Sequence, residues 1–393
     1  MKLPQLAVIK DCTGCMACVD SCPTESLTKE INSEGHFYYK LNSNTCIGCY
    51  KCVKSCPVES KILYKQDGYG SFYAAWAKDE IIRSRSASGG AFAAIAQYVL
   101  NKQGIVFGAA NTKECEVKHI FIEKLSDLYQ IQGSKYTSSD TSGSYKQAYN
   151  FLKQNKIVLF SGTGCQIAGL LTFLKNKKYS GKLITIDLIC GGIPSKLLIQ
   201  KFISNEPYEV KKIVSFRTKE NGWKSHGFLY NMKVMDSNNI VHNYKGIRNL
   251  ITDGFCSELT NRYSCYNCRF NGTKRLSDFT IGDLWGDKDF LIEHTKGVSL
   301  IIAHNNSSEK LLIDASDYIF TSLIDKKYAI YNNPRICKGK SYKQYMPERI
   351  WMRFLFNNFS YSTLKKIYAY DFSKYSLWMI YKLYRYILNL LLK

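Results

Sequence analysis

One cysteine pattern occurs twice near the start of the chain. The stretches CTGCMACVDSCP and CIGCYKCVKSCP begin at Cys12 and Cys46, and each reads C-x2-C-x2-C-x3-C-P. This spacing lets a tight loop present three thiolates to one iron–sulfur cubane, while the fourth cysteine reaches a second cubane. The pattern predicts two [4Fe–4S] clusters, one held by Cys12, Cys15, Cys18 and Cys56 and the other by Cys46, Cys49, Cys52 and Cys22.

The segment that carries this repeat, residues 1–65, resembles a bacterial-type two-cluster ferredoxin, a small α+β ferredoxin-like module. The resemblance implies that the segment carries electrons and performs no substrate chemistry. A pair of zinc ribbons is the alternative, and the doubled spacing of the cysteines disfavours it. The function of the chain must therefore come from the part to which this module is connected.

The rest of the chain reads as an α/β body in which apolar strands alternate with helices. Residues 86–100 have helical apolar content after a glycine turn, and residues 104–110 follow as a buried strand. Residues 156–174 read as strand, glycine turn and helix, and residues 182–203 repeat that order. This alternation favours a mainly parallel sheet, whose functional sites gather at the carboxyl ends of the strands.

Four further cysteines are predicted to form a third site. Cys165 and Cys190 each follow an apolar strand, and Cys265 and Cys268 form a pair with a two-residue gap. Two thiolates cannot complete a tetrahedral metal site or hold a cubane, so we expect all four to hold a third [4Fe–4S] cluster. The alternatives are a zinc site, a redox dithiol at the Cys265–Cys268 pair, or, for Cys165 and Cys190 taken singly, buried structural cysteines.

Composition restricts the compartment and the partners. The 393 residues are 45% hydrophobic and 22% charged, which indicates a globular chain with more than one domain. We find no signal-peptide pattern and no apolar run of about 18 residues, so we expect no spanning helix. In the cytoplasm the 15 cysteines would serve as ligands or catalytic groups, although Cys115, Cys256 and Cys337 are interpreted as buried structural residues. The net charge of +22 comes without an RNA- or DNA-binding signature, so we expect no nucleic-acid partner.

Seven stretches of the body follow the order found in one known family. They are SASGG (86–90), GSKY (133–136), GTGCQIAGL (162–170), DLICGGIPS (187–195), SFRTKENGW (215–223), RYSCYNC (262–268) and SDFTIGDLWG (277–286). Residues 70–305 therefore resemble the beta subunit of coenzyme F420-reducing hydrogenases and related dehydrogenases. One departure is Gly164, since the family often has proline before the first cysteine, and this change leaves the thiolate of Cys165 in place.

The resemblance implies an iron–sulfur flavoprotein body with FAD beside the third cluster. Clusters move one electron at a time and hydride chemistry moves two, and a flavin converts between them. The chain has no GxGxxG or Walker motif, so the flavin is inferred from the family alone. We expect ferredoxin or another low-potential carrier as the electron donor, and a coenzyme F420-like or other small molecule as the acceptor.

Two segments supply the candidate flavin contacts. They are Ser86, Ser88, Gly89 and Gly90 in the first segment and Ser134, Lys135 and Tyr136 in the second. The first segment opens a helix whose amides suit a pyrophosphate, although such turns are commonly only turns. Lys135 is predicted to counter a phosphate or the flavin N1 region, with a solvated lysine as the alternative. His226 is the candidate proton donor near neutral pH, with a structural histidine as the alternative, so His226 and Lys135 are the candidate catalytic residues.

The final fifty or so residues, from Trp351 on, are rich in tyrosine, phenylalanine, leucine and lysine. On a helix, one face would carry Leu377, Ile380, Tyr384, Ile387, Leu388 and Leu391, and the other would carry Lys382, Arg385, Asn389 and Lys393. This pattern suits a helix lying on the inner membrane surface, and a helix packed on the body or on a partner is the alternative.

Four segments are predicted in all: a ferredoxin domain at 1–65, body domains at 70–175 and 176–345, and a basic aromatic tail at 346–393. The predicted function is that of an iron–sulfur flavin-dependent oxidoreductase in the cytoplasm. One alternative is a reductase of bacterial surface-polysaccharide biosynthesis. Another is a non-enzymatic electron-transfer adaptor whose flavin site has degenerated.

Overall fold

The computed structural model describes residues 2–60, 70–220, 222–223, 231–244, 249–258, 260–272, 275–285, 295–336 and 358–364. Its N-terminal module contains four short elements, α1 (Ala17–Ser21), β1 (Leu27–Ile31), β2 (Phe37–Leu41) and α2 (Lys51–Ser55). The strands form an antiparallel hairpin, and the two helices contact each other. Met16 and Tyr50, which precede the helices, both have φ of 56°, so both copies of the cysteine pattern adopt the same left-handed step.

The body is built on strands of two sheets. The strands are β3 (Ser71–Ala77), β4 (Ile105–Asn111), β5 (Val117–Ile122), β6 (Ile157–Thr163), β7 (Lys182–Leu188), β8 (Val210–Ser215), β9 (Met232–Asp236), β10 (Val241–Tyr244), β11 (Phe279–Asp283), β12 (Ser299–Ala303) and β13 (Ile319–Leu323). Eight of them form one sheet in the order β13-β3-β12-β11-β7-β6-β4-β5. The remaining three form an antiparallel sheet in the order β10-β9-β8.

The helices of the described body connect and cover these strands. They are α3 (Glu80–Arg85), α4 (Ala91–Asn101), α5 (Ser144–Lys153), α6 (Gly164–Leu174), α7 (Leu197–Ile203), α8 (Leu250–Ser257), α9 (Asn306–Asp314) and α10 (Lys326–Asn332). The helix predicted after the SASGG turn is α4, and the strand predicted at 104–110 is β4. The two predicted strand–helix units are β6 with α6 and β7 with α7, so these local predictions are confirmed.

The large sheet is mixed, and the expectation of a mainly parallel sheet is wrong. Its central strands β11, β7, β6 and β4 are parallel neighbours. The pairs β13–β3, β3–β12, β12–β11 and β4–β5 are antiparallel. The alternation in the sequence covers only β4, β6 and β7. Strand β3 precedes them and pairs with strands more than two hundred residues later, and such pairing leaves no local pattern.

Helices cover both faces of the sheet. Leu159 of β6 packs in one core with Ile95 of α4. Its neighbours Val158 and Phe160 pack in another core with Leu170 of α6. Because successive residues of a strand point to opposite faces, α4 and α6 lie on opposite sides of the sheet.

The module packs directly on the α5 and α6 side of the body. Cys15 of the module belongs to the same buried core as Tyr145 and Leu170. The carboxylate of Asp20 accepts hydrogen bonds from the amides of Gly143 and Tyr145, at 2.6 and 3.0 Å, where α5 begins. A side chain of the module therefore satisfies the otherwise unpaired first amides of a body helix.

The predicted segments 70–175 and 176–345 both contribute to the large sheet, since β6 and β7 are hydrogen-bonded neighbours. Of the predicted tail, only residues 358–364 are described, and Leu364 is buried beside Phe202. The predicted membrane-facing residues of the tail lie outside the described residues. Within the described parts of the chain, no helix combines the length and the apolar character that a membrane crossing requires.

Candidate iron–sulfur and flavin sites

The first predicted ligand set, which we call the inner set, lines one cavity. Its members are Cys12, Cys15, Cys18 and Cys56. Gly14 stands between two of them with φ of 68°, a left-handed conformation that favours glycine and allows the tight loop. Burial raises the pKa of the Cys15 thiol to about 12 and also raises the pKa of the other three thiols. Four thiolates in one buried space need a cationic partner, so this donor set fits an iron–sulfur core.

The second predicted set, which we call the outer set, lines another cavity. Its members are Cys22, Cys46, Cys49 and Cys52. Cys49 is exposed, whereas no thiol of the inner set is. Burial raises the pKa of Cys52 to about 11. Burial also acts to raise the pKa of Cys22, but hydrogen bonds from Thr24 and nearby amides outweigh it and lower that pKa. The donor set again fits a cluster, at a position nearer to the solvent.

The third predicted set gathers four thiols from three separate parts of the chain. Cys165 lies in the first turn of α6, Cys190 follows β7, and Cys265 and Cys268 lie in and just after a 3₁₀ turn at Tyr263–Asn267. Burial raises the pKa of all three of Cys165, Cys265 and Cys268, to about 12 for Cys265. The neighbouring thiols of the set, Cys190 included, raise these pKa values further, so the four side chains lie close together.

Local hydrogen bonds orient the sulfurs of this third set. The amide of Gly192 donates to Cys190 Sγ at 3.3 Å, and the amide of Ile193 donates to Cys265 Sγ at 3.4 Å. The hydroxyl of Thr163 lies 3.1 Å from Cys165 Sγ. Donors directed at sulfur favour the thiolate form, which is the form that binds iron.

Gly164 allows the two halves of the third set to approach each other. A Cβ atom placed on Gly164 would lie 2.8 Å from the carbonyl oxygen of Phe270, just after Cys268. Arg275 donates to that same oxygen at 3.1 Å and pairs with the buried Asp187 at 3.2 Å. The departure from the family's usual proline therefore occurs where this chain has no room for a side chain.

A site for a single metal ion needs closer ligands than a cluster does, because a cubane holds its thiolates farther apart than one zinc ion does. Among the described residues, no group of three or more His, Cys, Asp or Glu side chains is arranged to hold a single metal ion.

The first predicted flavin segment, residues 86–90, is packed against the sheet. The hydroxyls of Ser86 and Ser88 donate to the carbonyls of Ile82 and Val298, both at 2.8 Å. A Cβ atom on Gly89 would lie 2.4 Å from the carbonyl oxygen of Ala75, so the loop needs glycine there. The protons of these hydroxyls already have acceptors, so hydrogen bonds donated from this segment to a flavin phosphate would come from its backbone amides.

The second predicted flavin segment lies beside the first. Gln132 donates to Ser86 Oγ at 3.1 Å, and Lys135 Nζ donates to the carbonyl of Gln132 at 2.7 Å. Burial lowers the pKa of Lys135 to about 7. The hydroxyls of Thr137 and Ser138 are buried and have no hydrogen-bond partner among the described residues. Their unused donors fit a polar group bound next to Lys135, and no pattern in the sequence indicated a role for either residue.

Cations from the segment at 215–219 hold the first flavin segment in place. Arg217 pairs with Asp283, at 3.2 Å to each carboxylate oxygen, and donates to the carbonyl of Ala87 at 2.6 Å. Lys219 donates to the carbonyl of Ser88 at 2.6 Å, and burial lowers its pKa to about 7. The only sequence signal for these residues was their place in the SFRTKENGW stretch, to which no role was assigned.

The remaining predictions have different outcomes. His226 and Cys337 lie outside the described residues. Cys115 is buried, as expected, and burial raises its pKa to about 11. Cys256 was expected to be buried, and this is wrong, because α8 presents it to the solvent.

Both the N-terminal module and the body match models of known protein families. Residues 11–60 match a 4Fe-4S dicluster domain, so the N-terminal module is of the ferredoxin type and the protein is an iron–sulfur protein, as predicted. Residues 72–146 and 155–327 match the N-terminal and C-terminal parts of the coenzyme F420 hydrogenase/dehydrogenase beta subunit. The chain belongs to this beta subunit family, which confirms the resemblance seen in the sequence.

The solved structures similar to this chain include a chain of the F420-reducing [NiFe] hydrogenase complex from Methanosarcina barkeri, with 15% sequence identity and a TM-score of 0.47. The similarity covers 73% of this chain and 94% of that one. The comparison with curated proteins finds no match.

Proposed function

We propose that this protein is an iron–sulfur flavoprotein oxidoreductase with three [4Fe–4S] clusters. The observation that carries the proposal is the contact between the inner set and the helix of the third set. A Cβ atom on Gly169, one turn after Cys165 in α6, would lie 2.9 Å from Cys15 Sγ. Two cysteine sets this close suit direct electron transfer between clusters bound on them.

The three sets suggest an order for the electron path. The outer set includes the exposed Cys49, the inner set is packed on α6, and the third set lies at the carboxyl ends of β6 and β7. Electrons would enter at the outer set, cross the inner set and reach the third set. Clusters bound on the three sets would supply single-electron transfer along this path, and an FAD bound beside the third set would supply the conversion to a two-electron hydride step.

The candidate flavin residues can each be given a role. The amides of residues 86–90 would bind the pyrophosphate, and Thr137 and Ser138 would donate to a polar group of the cofactor. Lys135 has a pKa near 7, so at neutral pH it can carry or release a proton close to the reacting group. His226 remains the proposed second proton donor.

An acidic single-electron carrier of the ferredoxin type is the proposed donor. Around the exposed Cys49, the apolar side chains of Leu3, Ile47 and Tyr50 are exposed, and Tyr50 donates to the carbonyl of Lys2 at 2.9 Å. Lys2 and Lys51 adjoin Leu3 and Tyr50 in the chain, Lys54 lies on the same helix as Lys51, and all three lysines are exposed. We call these six residues the entry face. Exposed apolar side chains with lysines beside them complement an acidic partner and would place it beside the outer set.

The proposed acceptor is coenzyme F420 or a related hydride-accepting molecule, following the family to which the chain belongs. We place the protein in the cytoplasm, because no disulfide bond joins cysteines of the described residues and iron–sulfur ligands need a reducing compartment. The C-terminal tail is proposed to contact the inner membrane surface, which rests on its sequence pattern alone.

Anaerobic purification followed by iron, sulfide and flavin analysis tests this function. We expect about twelve iron and twelve sulfide per chain from three four-iron clusters, together with about one FAD. Reduced ferredoxin should bleach the flavin and the clusters together. A fully loaded chain that takes up no flavin would contradict the oxidoreductase proposal and indicate an adaptor, whereas stoichiometric zinc with a third less iron would contradict the third cluster.

A further inference from the structure

Arg262 is a buried residue that belongs to the loop of the third set. Its amide donates to the carbonyl of Ile193 at 2.9 Å, and its carbonyl accepts from the amide of Cys265 at 3.0 Å. These two bonds fix the backbone from which Cys265 and Cys268 project. Only 4% of the surface of the residue is exposed, so its charge acts in a medium of low polarity.

The guanidinium of Arg262 reaches out of this loop and into the loop of the inner set. A Cβ atom on Gly14, between Cys12 and Cys15, would lie 2.5 Å from Nη1 and 2.6 Å from Nη2. Nη1 also donates to the carbonyl of Phe37 at the start of β2. Ser264 of the same turn makes a second contact between the two loops, since its Oγ donates to the carbonyl of Cys12 at 3.1 Å.

One donor of this guanidinium is unused. The Nε atom of Arg262 is buried and has no hydrogen-bond partner among the described residues. A buried N–H without an acceptor is costly, and sulfur close to it would relieve that cost.

The charge of Arg262 acts on both cysteine sets. Burial raises the pKa of Cys12 and of Cys265, and Arg262 opposes the increase at both thiols. The other buried arginine beside the third set, Arg275, acts on Cys268 and is already paired with Asp187. Arg262 is therefore a buried cation whose charge acts on one thiol of each set, while its guanidinium contacts the inner loop at Gly14.

We infer that Arg262 is a positioning residue that joins the inner and third clusters and stabilises the reduced state of both. The inference rests on the proposed function, since it assumes a cluster on each set. A cluster gains negative charge on reduction, so a buried cation beside it raises the reduction potential. One cation that acts on two clusters shifts both potentials in the same direction, so it stabilises an added electron on either cluster. The outer set makes no contact with Arg262 among those that the structure describes.

The test is a reductive titration of the purified holoprotein, followed by EPR, in wild type, R262M, R262K and K29M. We expect R262M to lower the midpoint potentials of the inner and third clusters and to leave the potential of the outer cluster unchanged. R262K keeps the charge and should restore most of the difference. Lys29 pairs with Asp140 across the same module–body interface, so K29M removes a cation from that interface without touching a cysteine loop. It should leave all three potentials unchanged.

The outcomes separate this inference from the proposed function. If wild type holds only about eight iron atoms per chain, the third cluster is absent and the proposed function fails at that point, independently of the result for R262M. If wild type holds about twelve iron and R262M leaves every potential unchanged, or shifts them no more than K29M does, the role of Arg262 is overturned. If R262M does not retain its iron, R262Q replaces it as the variant that removes the charge. In that case the midpoint potentials of R262K must still lie close to those of wild type.

Discussion

At the scale of single residues, burial decides how the cysteines of this chain differ. The four thiols of the inner set, and Cys165, Cys265 and Cys268 of the third set, lie where a bare thiolate is unfavourable, so their pKa values are raised. Amide donors at Cys190 and Cys265 act in the opposite direction and prepare those sulfurs for iron. The exposed Cys256 has no place in any set. Environment and grouping, rather than residue type, therefore separate candidate ligands from the other cysteines.

A double variant tests the third set directly. Replacing Cys265 and Cys268 with serine should remove about four of about twelve iron atoms, because a cubane is not held by the two remaining thiolates. Iron analysis and the EPR signals of the ferredoxin-type clusters provide the measurement, and those signals should persist. Cys256→Ser is the matched control and should retain all the iron. Full iron content in the double variant would remove the third cluster from the proposal.

At the scale of elements, the short helix α2 connects the outer set with the entry face. Cys52 lies inside α2 and lines the outer cavity, while Lys51 and Lys54 of the same helix are exposed. One turn of helix therefore holds a candidate ligand on one side and presents positive charge on the other. A partner bound to these lysines would approach the cluster without any movement of the module.

Charge reversal on α2 should slow electron entry. We expect K51E/K54E to be reduced by an acidic ferredoxin about tenfold more slowly than wild type at low ionic strength, because electrostatic steering is lost. The difference should shrink at about 0.5 M salt, where screening is strong. Stopped-flow absorbance measures the rate. The control K310E/K327E makes the same charge change at exposed positions on α9 and α10 of the body. Equal rates for the two double variants would rule out the entry face.

At the scale of the whole molecule, the module and the body form one packed unit. Cys15 lies in a core of the body, Asp20 caps α5, and Thr172 of α6 donates to the carbonyl of Ser55 at 2.7 Å. Ser195 Oγ donates to the carbonyl of Glu34 at 2.6 Å on another side of the contact. The module is therefore fixed at a set distance from the third cysteine set, as a continuous electron path requires.

Asp20→Ala should loosen this arrangement. Losing a helix cap costs about 1 kcal/mol, so the melting temperature should fall by a few degrees. Asp79→Ala is the control, because Asp79 caps α3 within the body by accepting from Ile81 and Ile82 at 2.9 Å. Both variants should melt earlier, but only Asp20→Ala should accelerate the loss of cluster iron in air. Equal iron loss in the two variants would mean that Asp20 does not hold the module in place.

The sequence by itself determined whatever depends on neighbours along the chain. The repeated cysteine pattern identified the ferredoxin-type module, because a tight loop and its short helix set the spacing of three thiols locally. Strand β4 and the units β6–α6 and β7–α7 were likewise readable, since their apolar patterns are continuous. The family resemblance was readable for the same reason, as its motifs are short and occur in order.

Only the tertiary structure decided the contacts between distant segments. The antiparallel pairing of β3 with β12 and β13 made the sheet mixed, and no local sequence pattern predicts such a pairing. Three other features also depend on tertiary structure alone. They are the exposure of Cys256, the buried hydroxyls of Thr137 and Ser138, and the contact of Arg262 with Gly14. Each depends on what another part of the chain places beside the residue. Burial and charge are properties of that three-dimensional surrounding, which spacing along a sequence does not contain.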